Sequence, residues 1–301
     1  MTRTTSRLTA LIVVALVVVT AGAASGQDGK AIERSLAAAS DGTVTIKNVA
    51  GSISVEGWSE AKVSVTGMLG EGTERLDLTN EGRRTIVEVV LPRHARHVEG
   101  SDLVIRVPRG SRIEIEAVSA TVEVGDVTGA LDLHAISGDI SARGAAREVT
   151  AQTVSGMIEI AATTAKLTAE SVSGDITVEG VRGDIEVSTV SGDVALKTSG
   201  AIDRLRFNSV SGELDCSGAL SPKATLKAES HSGDITLTLG GKPEGDFSIT
   251  TFSGEIENAF GPRGKRTSRY APGRELEFTL GDGGARVEVT TFSGDVFLLE
   301  R

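Results

Sequence analysis

One short phrase, Val-Ser-Gly-Asp-Ile, returns along the C-terminal two thirds of the chain, and its spacing limits the fold more than any other feature. It starts as Val118-Ser119-Ala120-Thr121-Val122 and recurs with its serine at Ser137, Ser155, Ser173, Ser191, Ser211, Ser232, Ser253 and Ser293. The steps are 18, 18, 18, 18, 20, 21, 21 and 40 residues. A repeat of about 20 residues marks a solenoid, in which each unit buries its apolar face only against its neighbours. The step of 40 reads as two coils of 20 with the middle phrase lost.

Aligning the repeats on the serine sorts the side chains into columns. Six residues before it stand Ile113, Leu131, Val149, Leu167, Ile185, Leu205, Leu226, Phe247 and Val287. Four before it stand Ile115, Leu133, Ala151, Ala169, Val187, Phe207, Ala228, Ile249 and Val289. Three after it stand Val122, Ile140, Ile158, Ile176, Val194, Leu214, Ile235, Ile256 and Val296, and five after it a looser set that includes Cys216 and Asn258. Each pair of columns is two apart, the period of a strand, and the parity changes between the pairs, so the chain turns there.

The residue just before the serine is Val118, Ile136, Val154, Val172, Val190, Val210, His231, Phe252 and Phe292 in turn. Being apolar in all but one repeat, it is assigned to the inward set, which leaves the Ala, Ser or Thr two before the serine at the corner. The glycine after the serine reads as a place where a Cβ would crowd the neighbouring coil or forbid the backbone angle. A second bend follows near Gly129, Gly144, Gly180, Gly183, Gly200 and Gly218. The prediction is an all-β, parallel β-solenoid of about 18–21 residues per coil. Nine or ten coils at ~4.8 Å each would make a rod of about 45 Å.

Residues 1–26 read as a secretory signal peptide: Arg3 and Arg7, an apolar run over 8–19, then small residues that allow cleavage after Ala23 or Gly26. No cysteine follows that run to carry a lipid, and the mature chain is expected to have no transmembrane domain. Loss of Arg3 and Arg7 moves the formal charge from −10 to −12. Residues 27–42 are expected to be a mobile lead. Residues 43–110 are assigned to an irregular N-terminal β capping subdomain, although Val49-Ala50-Gly51-Ser52-Ile53 already has the spacing of the phrase. Such a cover protects the open end, since a bare sheet edge templates aggregation. Residues 111–301 form the solenoid repeats, with a basic loop at 258–275.

Four segments together resemble a known family. They are Gly51-Ser52-Ile53-Ser54-Val55-Glu56-Gly57-Trp58, then Val104-Ile105-Arg106-Val107-Pro108-Arg109-Gly110, then the iterated phrase, then Leu280-Gly281-Asp282-Gly283-Gly284 and its continuation to Asp295. Across residues 34–301 the chain resembles the bacterial putative-adhesin family, also called toast-rack proteins. The resemblance implies a β-solenoid in the cell envelope and supplies no catalytic residues. Ala120, Met157 and His231 depart from the repeat.

An acidic column two after the serine, made of Asp139, Asp175, Asp193, Glu213, Asp234, Glu255 and Asp295 and broken by Thr121 and Met157, is the first place to look for chemistry. Unit charges ~4.8 Å apart repel by roughly 1 kcal/mol per neighbouring pair even in water. Two readings explain such a ladder: cation binding between coils, or turn aspartates that bond local backbone N–H groups and stay solvated. The second is preferred, because the glycine-rich nine-residue calcium repeat is missing. Arg93-His94-Ala95-Arg96-His97 is the one unusual cluster and reads as a solvated loop. The serines have no His and Asp partners in pattern, no phosphate loop appears, and the acidic balance argues against nucleic acid.

Of 9 aromatic residues, Phe207, Phe247, Phe252 and Phe292 are assigned inward, and of the other five Trp58, Phe260 and Tyr270 are expected to be exposed. Cys216, the single cysteine, falls in an inward column and reads as a small apolar residue. The basic loop holds Arg263, Lys265, Arg266, Arg269 and Arg274 against Glu275. These five cations are the candidate interaction residues, either closing the C-terminal end or reaching an anionic polymer. The functional expectation is an exported, non-catalytic interaction or scaffold module at the periplasm or cell surface, without cofactor or metal. Its partner would be an envelope protein or an anionic polymer. The alternative is a polysaccharide-active β-helix enzyme.

Overall fold

The computed structural model describes residues 29–93, 98–267 and 272–301. They form one continuous sheet of 23 strands, wound as an all-β solenoid. The repeat columns are its registers. Ile113, Leu131, Val149, Leu167 and Ile185 pair in succession, each in parallel with the next. Val122, Ile140, Ile158, Ile176, Val194, Leu214 and Ile235 do the same on the second strand. Every residue six before, four before or three after the serine is 7 % exposed or less. The core is therefore a stack of aliphatic layers, and each side chain rests on its equivalent one coil away. No helix among the described residues is long and apolar enough to cross a membrane.

The corner lies later than the column pattern suggested. Strand alternation continues past the minus-four residue, so the position two before the serine points inward and the position just before it points out. Thr153, Ser171, Thr189, Thr251 and Thr291 are at most 5 % exposed. Val118, Ile136, Val154, Val172, Val190, Val210, Phe252 and Phe292, assigned inward from their apolar character, are 41–51 % exposed. The turn itself is made by Ser-Gly. Two of these hydroxyls reach a carbonyl of a glycine turn, Thr251 Oγ1 donating to Gly294 at 3.0 Å and Thr153 Oγ1 to Gly138 at 3.4 Å, whereas those of Ser171, Thr189 and Thr291 are buried without a hydrogen-bond partner.

Close stacking, rather than an unusual φ, is what selects glycine at most of these corners. A Cβ on Gly156 would lie 2.2 Å from the Gly138 carbonyl oxygen, one on Gly174 2.0 Å from that of Gly156, and one on Gly192 2.4 Å from that of Gly174. At the second bend, by contrast, Gly180 and Gly183 have φ of 88° and 76°, a region that favours glycine.

The step of 40 residues does not hide a lost coil. Ser232 pairs with Ser293, and Ser293 pairs in turn with Ser253. The last coil, Ala285–Ser293 with Val296–Glu300, thus sits between the coils of Ser232 and Ser253. The intervening chain runs outside. Its strand Arg274–Leu280 lies antiparallel on Gly245–Ser253, with Phe278 stacked on Phe247 at 4.7 Å. The Ser253 coil is the one with Asn258, half-buried, in the inward column five after the serine, whereas Leu298 fills that place in the last coil and is fully buried. An amide is better placed at the end of a stack than inside it.

The N-terminal end mirrors this arrangement. Strand Thr43–Trp58 stacks on Arg112–Gly125 with Ala50 opposite Ser119, as a further coil in register. Arg84–Val90 and Ser101–Pro108 lie parallel outside it. Antiparallel strands then cover them: Arg75–Glu81 on the first and Lys62–Leu69 on the second. Within the lead segment, Lys30–Ala37 forms a strand along Lys62–Leu69. Antiparallel pairing thus covers both outer parallel strands at the N-terminal end and Gly245–Ser253 at the C-terminal end, while Ile256–Asn258 pairs with Val296–Glu300 alone.

Candidate interaction surface

The outward turn leaves a ridge with three parallel ladders: the apolar residue, the serine and the acid of each phrase. In spatial order the apolar ladder runs Val49, Val118, Ile136, Val154, Val172, Val190, Val210, His231, Phe292, Phe252. Its nine hydrophobic members are 37–51 % exposed, an aligned row where an ordinary surface carries exposed hydrophobics singly. The backbone beneath is fixed by the coil-to-coil ladder. Ser155, Ser173 and Ser191 each donate their N–H to the carbonyl of Ile136, Val154 and Val172 at 2.9 Å.

At the C-terminal end the ladder becomes aromatic. Phe252 and Phe292 stack at 4.8 Å with 7° between planes, and His231 stacks on Phe292 at 5.0 Å and 10°. A shallow groove of about 360 Å³ runs beside the middle of the ladder, between Val154, Val172 and Val190 on one side and Gln152, Glu170 and Ser188 on the other.

The acids have a structural task as well as a charge. Asp175 Oδ1 accepts the Asp193 N–H at 3.0 Å, Asp193 Oδ1 that of Glu213 at 3.0 Å, Asp234 Oδ1 that of Asp295 at 2.7 Å, and Asp295 Oδ1 that of Glu255 at 2.8 Å. Each of these N–H groups lies at the corner. The carbonyl of the same acid accepts instead from the other neighbouring coil, as when Ile176 N–H donates to the Asp193 carbonyl at 2.9 Å. The bonds that explain aspartate here therefore run between coils and not within the local turn. Among the described residues no group of three or more His, Cys, Asp or Glu side chains is placed to hold a metal ion.

The family model Toastrack DUF4097 matches residues 34–299. The chain belongs to the Toastrack family. Three solved structures match the chain at low identity. One, named a "putative adhesin", is from Bacteroides fragilis: 11 % identity over 90 % of this chain and 97 % of that one, with a TM-score of 0.47. A "putative cell adhesion protein" from Clostridium sporogenes has 11 % identity over 90 % and 100 %, with a TM-score of 0.26. A "putative adhesin" from Parabacteroides merdae has 8 % identity over 91 % and 98 %, with a TM-score of 0.38. No curated protein matches the chain.

In this toast-rack chain the candidate cations divide. Arg274 is tied to Glu255, the acid of the outermost coil. Lys265 and Arg266 form a short antiparallel pairing with Glu275 and Arg274, and both are exposed, as is Arg263. Arg269 lies outside the described residues, together with Tyr270, His94, Arg96 and His97. Arg93 is exposed, and His134 Nε2 meets Asp132 Oδ1 at 2.8 Å. Trp58 is half-buried, donates to the Lys62 carbonyl at 2.9 Å and is flanked by the Lys62 and Arg106 cations. Phe260 is half-buried against the core. The open aromatic faces are instead Phe252 and Phe292, residues that the sequence pattern had placed inside. The signal for them was the unbroken alternation through the buried Ser and Thr column, which was read as a corner.

Proposed function

We propose that this toast-rack chain is an exported, non-catalytic interaction module of the cell envelope, adhesin-like in role, and that the three-ladder ridge is its contact face. The observation that carries this reading is the apolar ladder, repeated at ten successive coils and left 37–51 % exposed at nine of them. An apolar row over seven successive coils, with a stacked aromatic pair beyond His231, is more than the singly scattered hydrophobics of an ordinary surface. The charged leader pattern with Arg3, Arg7 and the apolar run over 8–19 supports export. The carboxylates stand in rhythm along an open ridge, whereas a polysaccharide-cleaving site needs acids converging in a cleft. That favours a binding role over the enzyme alternative.

The test is retention on the envelope fraction of the chain's own cells. The triple variant Val154→Ser, Val172→Ser, Val190→Ser changes only outward positions, so it should melt like wild type yet lose at least about tenfold in retention. Equal retention at equal stability would remove the ridge as the contact face.

A second contact is supported by the exposed Arg263, Lys265 and Arg266 on the C-terminal hairpin. Replacing all five basic residues, Arg263, Lys265, Arg266, Arg269 and Arg274, by Ser separates its roles. Lost stability with unchanged binding marks a cap, and lost salt-sensitive binding with unchanged stability marks a site for an anionic polymer.

A further inference from the structure

Resting on the ridge as the contact face, we propose the class of its partner: a basic amphipathic helix, with apolar side chains along one stripe and Lys or Arg along the adjoining flank. The argument begins with charge. On the other faces several carboxylates are matched by cations one coil away, Asp132 with Arg112 at 3.0 Å, Glu159 with Arg143 at 3.3 Å, Asp184 with Arg204 at 3.3 Å and Glu148 with Lys166, and those without a pair, such as Glu123 and Asp203, do not stand in an unbroken row of acids beside an exposed apolar ladder. On the ridge, Asp139, Asp175, Asp193, Glu213, Asp234 and Asp295 have no such ion pair among the described residues, and only Glu255 has one, with Arg274. From Asp175 to Glu255 the acids occupy six consecutive coils, in the order Asp175, Asp193, Glu213, Asp234, Asp295, Glu255. The aromatic end of the apolar ladder lies on the last of these coils. An uncompensated row of one sign beside an apolar stripe selects a partner with the opposite sign in the same arrangement.

Other occupants fit less well. The column on the far side of the apolar ladder carries Lys47, Glu116, His134, Gln152, Glu170, Ser188, Asn208 and Glu229 in spatial order, and its one lysine is already paired with Glu116 at 2.7 Å. A second copy docked ridge to ridge would face its acids with this column if parallel and with other acids if antiparallel. Anionic polymers and anionic lipid surfaces are repelled by the same row. The backbone donors and acceptors of the corner are already used between coils, so a partner strand has no edge to extend and must dock through side chains. Period then favours a helix. Its turn of ~5.4 Å drifts by about 0.6 Å per coil of ~4.8 Å, so one residue per turn can meet successive coils for about four turns. Side chains on one face of a strand recur every ~6.7 Å and fall out of step at once.

The test uses residues 27–301 with synthetic peptides of about 20 residues, long enough to span several helical turns. The first has Leu at helical spacing flanked by Lys; the others replace Lys by Glu, scramble the order, or alternate Leu and Lys as a strand would. The Leu/Lys helix should bind, weaken about tenfold or more between low and physiological salt, and outbind all three comparators. Asp175→Asn, Asp193→Asn, Asp234→Asn combined should weaken it by a similar factor without changing the melting temperature, because Asn Oδ1 still accepts the corner N–H while the charge is gone. Equal binding by the Asn variant, or by the Glu helix, would overturn the basic partner, and preference for the alternating peptide would overturn the helix. The two readings fail separately. If the serine variant of the apolar ladder loses envelope retention but the Asn variant binds the Leu/Lys helix normally, the ridge stands and the partner class is wrong. If neither variant changes anything, the ridge itself falls.

Discussion

Replacing Gly174 by Ala tests the stacking of the corners at a single atom. The added Cβ would lie 2.0 Å from the Gly156 carbonyl oxygen and 2.7 Å from its carbon, so one of two backbone segments must move by more than about an ångström. Neither is free to do so, since Ser173 N–H is held by the Val154 carbonyl at 2.9 Å and Ile176 N–H by the Asp193 carbonyl at 2.9 Å. Overpacking of this kind costs ~1–3 kcal/mol, and each ladder hydrogen bond stretched out of geometry adds ~0.5–1.5 kcal/mol. Restricting the unfolded chain returns ~0.4–1 kcal/mol. The net loss is ~2–4 kcal/mol, which for a body of this size lowers the melting temperature by roughly 5–12 °C. Gly125→Ala is the control, because nothing lies within 4 Å of its added Cβ. It should melt at or slightly above wild type. A melt of Gly174→Ala within about 2 °C of wild type would show that the corners are not stacked as described.

Other outcomes follow from the same geometry. Ile176 is fully buried and Thr177 faces outward, so Ile176→Asp should cost several kcal/mol in a denaturant titration and Thr177→Asp little; equal losses would refute the register. Burial pushes the Cys216 thiol up to about 12, from an ordinary value of 9.0. With the folded value raised, this linkage leaves stability intact below pH 9 and erodes it as pH rises toward 12, because only the unfolded thiol ionises there. Wild type should therefore lose on the order of 1 kcal/mol more than Cys216→Ala by about pH 10, and parallel pH profiles would count against a buried thiol. Finally, the column acids are engaged by backbone N–H groups across coils. Melting should differ little between millimolar calcium and chelator, and a large calcium-dependent rise would show an ion site between the coils.

The architecture was legible because a solenoid writes each coil in the same terms. Ile113, Leu131 and Val149 could be aligned by eye, and they pair in that order. The facing of Val172 was harder, since an apolar residue beside two inward columns suggests a third. Only the burial of Ser171, a hydroxyl in a core position, shows that alternation carries on to the Ser-Gly corner. The order of the last coils was not readable from spacing alone. Phrases at Ser253 and Ser293 are nearly interchangeable, and what separates them is Asn258 against Leu298 at one core position, together with the strand Arg274–Leu280 that covers the outer coil. The ridge is hidden in the sequence for the same reason as the facing of Val172. An apolar column next to two inward columns has the pattern of core, and the acids beside it then have the pattern of isolated turn residues.

The most direct test of the ridge is a cysteine-labelling comparison at neighbouring positions in a Cys216→Ala background. Val172→Cys and Ser171→Cys differ by one residue, yet Val172 is 45 % exposed and Ser171 5 %. With a maleimide reagent on the folded protein, Val172→Cys should react rapidly and Ser171→Cys only as fast as the protein unfolds. Protection of Val172→Cys with rapid labelling of Ser171→Cys would put the corner one residue earlier, turn the apolar ladder inward and remove the contact face.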